Sequence, residues 1–257
     1  MRKFIDLSVS LEEGISSDPE FMLPKISYHN HKDTAEEIIQ FFPGLKKEDL
    51  PNKEGWAMET LTMSSHNGTH MDAPYHYHST MDNGKRAITI DEVPLEWCYN
   101  KGIKLDFRSY KDGHVISVDE IKKELDRIEH QIKPLEIVFV NTSAGGCYGK
   151  DNFLSKGCGI GREATIFLLD QGVRLTGTDA WSWDAPFKFT AEKFKKTKDP
   201  NLIWEGHRAG MYCGYSHIEK LCNLEMLPDK DFLVSAFPFK IKNGSAGFVR
   251  VVAIIED

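Results

Sequence analysis

His66-Asn67-Gly68-Thr69-His70-Met71-Asp72-Ala73-Pro74-Tyr75-His76 places four side chains able to bind a metal or carry a proton, His66, His70, Asp72 and His76, within eleven residues. Asn67-Gly68 favours a turn and opposes a helix, which separates the stretch from a helical His-Glu-x-x-His site. An extended chain would put His66, His70 and Asp72 on one face, since side chains alternate with period two. Gly68 would then leave room for an ion to approach the backbone. Pro74 cannot donate a ladder hydrogen bond, so it predicts a strand end and a change of direction just before His76. Two neutral imidazoles and one carboxylate leave a divalent ion one positive charge and an open position, the composition of a site that polarises water. Any one of His70, His76 or His78 alone would read as a polar loop side chain. Their register with Gly68-Thr69 and Asp72-Ala73-Pro74 points to a site.

Outward from this stretch the chain reads as an α/β protein. Its 257 residues suit a single domain. Lys3 to Val9 alternates like a half-buried strand, and Met58 to Ser64 reads as a strand leading into the histidines. Gly102 to Phe107 is a further strand. Ser117-Val118-Asp119-Glu120 is a capping box opening a helix over Val118 to Glu129. Ile137 to Val140 suits a buried strand, Asn141 to Gly149 a Gly-rich loop, and Arg162 to Gln171 a helix stopped by Gly172. Val173 to Gly177 completes a strand, helix, strand order typical of a parallel crossover. Phe232 to Ile241 and Phe248 to Ile255 read as two strands joined across Asn243-Gly244, with Pro238 as an edge or a break. Residues 13–55 form a long irregular region with a helical candidate at Thr34 to Phe41, expected to serve as a lid or subunit contact.

A net charge of −7 and a pI near 5.8 argue against a nucleic-acid surface. Five cysteines without a Cys-x-x-Cys pair predict a reducing, cytoplasmic setting. The N-terminus turns acidic at Asp6 before an apolar run develops, which predicts no secretory signal, and no stretch reaches the roughly 20 apolar residues of a membrane span.

The stretch from His66 to His76 matches His-x-Gly-Thr-His-x-Asp-x-Pro-x-His at every fixed position. The chain thereby resembles the cyclase family of metal-dependent hydrolases, which includes bacterial kynurenine formamidase and isatin hydrolase. Ile5-Asp6-Leu7-Ser8, Val138 to Thr142, Gly177-Thr178-Asp179 and Val249 to Ala253 are similar to further landmarks of that family, in order. The resemblance implies the swivelling β/β/α fold, a single mixed-sheet domain with flanking helices over residues 1–257. It implies a first metal on His66, His70 and Asp72, a second on Asp72 with His207 and Glu219, and His76 as general acid/base. His217 is read as a structural histidine. The implied cofactor is a divalent ion, Zn²⁺ or Mn²⁺, one or two per chain. The implied reaction is hydrolysis of an amide, lactam or lactone by metal-activated water, on an aromatic or cyclic small molecule, in a homodimer or homotetramer. The family's formamidases carry Trp-Pro-Gly-Asp where this chain reads Ser16-Ser17-Asp18-Pro19-Glu20-Phe21. Phe21, Trp181 and Trp183 are candidates for a substrate wall, with core packing the alternative for the tryptophans. Three other readings compete: a mononuclear Mn²⁺ lactam hydrolase like isatin hydrolase, an Fe(II) oxygenase using His70, Asp72 and His207, and a non-catalytic metal-binding protein.

Overall fold

Ile137-Val138-Phe139-Val140 carries no polar side chain, so a strand made from it must be covered on both faces. The computed structural model, which describes residues 1–256, puts it at the centre of a nine-stranded mixed sheet. The strands used below are β1 (Arg2–Asp6), β2 (Lys25–His29), β3 (Met58–Thr62), β4 (His70–Asp72), β5 (Tyr99–Asp106), β6 (Ile137–Asn141), β7 (Leu175–Thr178), β8 (Ser216–Glu219), β9 (Phe232–Ser235), β10 (Ala246–Phe248) and β11 (Val252–Glu256). Sheet order is β1-β11-β9-β5-β6-β7-β8-β4-β10. The run β5-β6-β7-β8 is parallel and its flanks are antiparallel. Helices α1 (Ala35–Ile39), α2 (Pro74–Tyr77), α3 (Val118–Arg127), α4 (Arg162–Asp170), α5 (Phe187–Thr197) and α6 (Glu205–Arg208) connect them.

Alternation on β6 divides the core. Val138 and Val140 lie under α3 and α4, packed with Ile121, Leu125, Ala164 and Leu168. Ile137 and Phe139 point the other way, into a cluster with Ile5, Leu7, Met71, Ile218 and Phe232 contributed by the outer strands of the curled sheet. Each such fully buried side chain contributes roughly 1.5–3 kcal/mol, and Phe139→Ala would cost about 3–5 kcal/mol. The capping box forms, with Glu120 N–H donating to Ser117 Oγ at 3.4 Å and Ser117 N–H donating to the Glu120 carboxylate at 2.8 Å. The crossover β6-α4-β7 forms as well, and Gly172 ends α4 at φ +89°.

Two expectations need correction. The C-terminal segments are not a simple hairpin: β9 and β11 do pair, but β10 crosses to add to β4 at the opposite end of the sheet. Pro238 keeps only an isolated bridge to Val249, as the missing N–H requires. The stretch from His66 to Asp72 is not one strand either; His66 sits on a turn and only His70–Asp72 is extended. From the region of residues 13–55, β2 pairs with β3 just beyond it in a small sheet apart from the main one, leaving Tyr28, Met58 and Leu61 exposed. Among the described residues no helix is long and apolar enough to cross a membrane.

Candidate metal centre and active site

Strand β4 lies antiparallel to β8 in a register that sets Asp72 opposite His217 and His70 opposite Glu219. Alternation then turns all four side chains to one face, in a buried setting. Asn67 closes the turn that carries His66, its carbonyl oxygen Oδ1 accepting from Ser64 N–H at 2.8 Å. Gly68 has φ +58°, and a Cβ there would stand 2.6 Å from Leu11, so glycine serves the turn and the Leu11 contact and not the approach of an ion. Pro74 occupies the first position of α2, and that short helix lifts His76 over the cluster. His207 arrives from α6.

The functional atoms converge on Asp72. Its Oδ1 lies 2.9 Å from His66 Nδ1 and 3.3 Å from His70 Nε2. Its Oδ2 lies 3.2 Å from His217 Nε2, 3.7 Å from His76 Nε2 and 4.0 Å from His207 Nε2. Glu219 Oε1 is 3.2 Å from His217 Nε2 and 3.7 Å from His207 Nε2, while its Oε2 is 3.6 Å from His70 Nε2.

Outer contacts orient these rings. His70 Nδ1 donates to the Gly68 carbonyl at 2.9 Å, which leaves the Nε2 lone pair facing the acids. His207 Nδ1 donates to Asp184, whose carboxylate also accepts the N–H of Gly206 at 2.8 Å and of His207 at 3.1 Å, anchoring the start of α6. Trp204 stacks on His207 at 4.7 Å and 7°. The backbone N–H of Trp183 donates to Glu219 Oε1 at 3.0 Å.

Electrostatics keep the acids charged. Burial opposes ionisation of Asp72, but His76, His66, His70 and His217 together hold it well below the usual carboxylate range. Glu219 is likewise lowered, burial being outweighed mainly by His217. His217 rises to about 9, because its two acidic neighbours outweigh burial, whereas burial pushes His76 down to about 4. The decisive observation for a metal is that His70 Nε2, both Asp72 oxygens and His217 Nε2 are buried without a hydrogen-bond partner. Orphaned buried polar atoms are costly, and four aimed at one another fit a cation that the two carboxylates would neutralise. The N/O donors suit zinc or manganese.

Beside this cluster opens a cavity of about 440 Å³ lined by Phe21, Met22, Trp181, Phe187 and Trp204 together with His66, His76 and His207. Asp18 and Lys220 form its buried wall as an ion pair.

Residues 5–185 match the Cyclase family model, described as "Putative cyclase". The chain belongs to the Cyclase family. Kynurenine formamidase of Bacillus mycoides (strain KBAB4) is 30% identical over 194 residues, covering 75% of this chain and 77% of that protein. The enzyme of the same name from Bacillus thuringiensis subsp. konkukian (strain 97-27) is 26% identical over the same shares. Among solved structures, isatin hydrolase A from Ralstonia solanacearum superimposes with a TM-score of 0.77 at 20% identity, covering 99% of this chain and 92% of that one. An isatin hydrolase solved with the product analogue thioisatinate gives a TM-score of 0.75 at 18% identity, covering 100% of this chain and 93% of that one.

In this Cyclase-family chain the fold brings His66, His70, Asp72, His76, His207 and Glu219 together, although 153 positions separate the outermost of them in sequence. Trp181 and Phe21 reach the cavity. Trp183 does not: it is 1% exposed in the core under α4, with Nε1 donating to Thr165 Oγ1 at 3.1 Å, so its reading as a substrate contact is corrected. His217, read from sequence as structural, points its Nε2 into the centre of the cluster. Period two from Glu219 was the available signal for it. Asp184, Asp18 and Lys220 were not singled out for the site; Asp184 lies within the aromatic run Trp181 to Phe187, and Asp18 within the stretch that stands at the family's Trp-Pro-Gly-Asp element.

Proposed function

We propose that this protein is a metal-dependent hydrolase of a small aromatic or cyclic amide, of the formamide or lactam class. The four orphaned ligand atoms beside an aromatic cavity carry the reading. His66, His70 and Asp72 would hold one ion and Asp72, His207 and Glu219 a second, zinc or manganese in either place. A divalent ion bound there would polarise the scissile carbonyl and acidify water. Trp181, Phe187, Phe21 and Trp204 would orient a planar substrate and exclude bulk water. His76 is the one imidazole of the motif that stands over the cluster on a helix. It would take the proton released as water adds to the carbonyl carbon, then return that proton to the leaving nitrogen as the C–N bond breaks. The products are a carboxylic acid and an amine, joined in one molecule when the substrate is cyclic.

The same reading extends to setting and assembly. Five free cysteines favour a reducing cytoplasm. Tyr28, Phe41, Phe42 and Leu61, exposed on residues 13–62, favour a homodimer or homotetramer in which that region meets a second copy. The test is hydrolysis of an N-formyl aromatic amide, of isatin and of an aromatic lactone by protein stripped of metal and by protein reloaded with Zn²⁺ or Mn²⁺. Turnover of at least one amide that disappears on stripping and returns on reloading is expected. Equal rates before and after stripping, or no turnover of any of the three, would overturn the proposal.

A further inference from the structure

His217 has the placement of a ligand, not of a supporting side chain. Its ring is fully buried, and Nε2 has no hydrogen-bond partner although two carboxylate oxygens stand 3.2 Å away. Its other nitrogen fixes the tautomer. The Tyr77 hydroxyl directs its proton to the Asp72 carbonyl at 3.3 Å, and the Tyr215 hydroxyl directs its proton to the Gly206 carbonyl at 2.9 Å. Both hydroxyl oxygens are therefore left as acceptors. They face His217 Nδ1 at 3.1 Å and 3.4 Å, and the Tyr77 oxygen also accepts the His217 backbone N–H at 3.0 Å. Nδ1 consequently carries a proton whether or not the ring is charged, so an ion that displaces the Nε2 proton would meet a lone pair directed at the space between Asp72 and Glu219.

The spacing of the surrounding atoms has the scale of a coordination shell. One ligand atom each from Asp72, His207, His217 and Glu219 lies within 4.8 Å of all the others. The shorter edges, 3.2, 3.2, 3.7 and 4.0 Å, bracket the separation of about 3.3 Å expected between ligands of a tetrahedral ion with bonds of about 2.0–2.1 Å. His66 and His76 line the cavity beside His207 and Glu219, whereas Asp72 and His217 are wholly buried behind them.

We propose that His217 is the fourth protein ligand of the second ion, closing an Asp72–His207–His217–Glu219 site that holds its ion firmly and leaves the exchangeable position to the His66–His70–Asp72 side. This rests on the metal-dependent reading above. A closed four-ligand site and an open three-ligand site sharing one aspartate differ in affinity, so the two ions should load in order.

The experiment is zinc titration of the stripped full-length protein against a chromophoric chelator, for wild type, His217→Gln and Tyr77→Phe, with elemental analysis of each. Wild type is expected to bind two Zn²⁺ per chain, one more tightly. His217→Gln should weaken the tight site by roughly 10–100-fold or more and leave the other unchanged. Tyr77→Phe keeps the ring but removes an acceptor from Nδ1, so it should weaken the same site by a smaller factor; it also reads the proposal should His217→Gln fail to fold. Unchanged affinities in both variants, or a single Zn²⁺ in wild type and variants alike, would overturn it, the latter marking His217 as a charged group in the place of an ion. Because no substrate is used, these outcomes are separate from failure of the hydrolase reading. Absence of zinc binding altogether would defeat both.

Discussion

Replacing Lys220 by Met removes the cationic partner of a carboxylate that has no water to fall back on. The two side chains are 1% and 0% exposed, and Nζ donates both to Asp18 and to the His66 carbonyl at 2.8 Å. Breaking a buried pair by removing one partner costs about 3–5 kcal/mol. Asp18 would keep three neutral donors, Asn67 Nδ2 at 3.0 Å, Trp181 Nε1 at 3.0 Å and Ser17 Oγ at 3.2 Å, so the lower end, about 3 kcal/mol, is expected for Lys220→Met. Asp18→Asn leaves a buried ammonium with the His66 carbonyl as its remaining strong acceptor and should cost nearer 5 kcal/mol. Lys220 has φ +59°, a strain that Met inherits unchanged, so backbone effects cancel in the comparison. For a chain of this size, about 3 kcal/mol lowers Tm by roughly 6–12 °C. Urea denaturation of both single variants and the double variant should show the double less destabilised than the sum by at least about 1–2 kcal/mol. Costs that simply add, or single costs under about 1 kcal/mol, would refute the view that this pair clamps the Asp18 loop to the metal-site turn.

His76→Ala should lower turnover by roughly 10²–10⁴-fold while metal content stays at the wild-type level, as a proton carrier that is not a ligand requires; elemental analysis beside kinetics decides it. Asp184→Asn should weaken metal binding by roughly 10–100-fold, because the charge that orients His207 is lost, and a chelator competition measures this. Trp181→Ala should raise KM on a verified substrate, whereas Trp183→Phe should leave KM unchanged and reduce stability instead. Burial raises Asp179 to about 7 despite the N–H and O–H that Thr142 donates to it. The folded state therefore holds a proton that the unfolded chain releases near pH 4, so this stabilisation is complete below that point and is lost as pH rises toward 7. Denaturation curves at pH 5 and pH 8 should show wild type losing stability relative to Asp179→Asn; a constant difference would exclude the effect.

Much of the architecture was legible in local pattern. The capping box at Ser117, the apolar run Ile137 to Val140 and Gly172 each act through neighbours in sequence, and each element formed within a few residues of its expected bounds. The C-terminal strands were misjudged because alternation reports that a segment is extended and not which strand it joins. β10 forms largely from the expected connection between the two strands and pairs with β4.

The sequence by itself determined the chemistry available: an imidazole and carboxylate set at fixed spacing on a turn, a short strand and a proline-started helix, all within one local stretch. Only the tertiary structure decided which distant residues complete it. The β4–β8 register brings His217 and Glu219 against Asp72 and His70, and a shift of one residue would turn both to the opposite face. Burial likewise separates Trp181 from Trp183, two positions apart in sequence, because one side chain packs toward the cavity and the other toward α4. Such outcomes depend on long-range strand pairing and on the shape of the closed core, neither of which leaves a mark in the periodicity of any single segment.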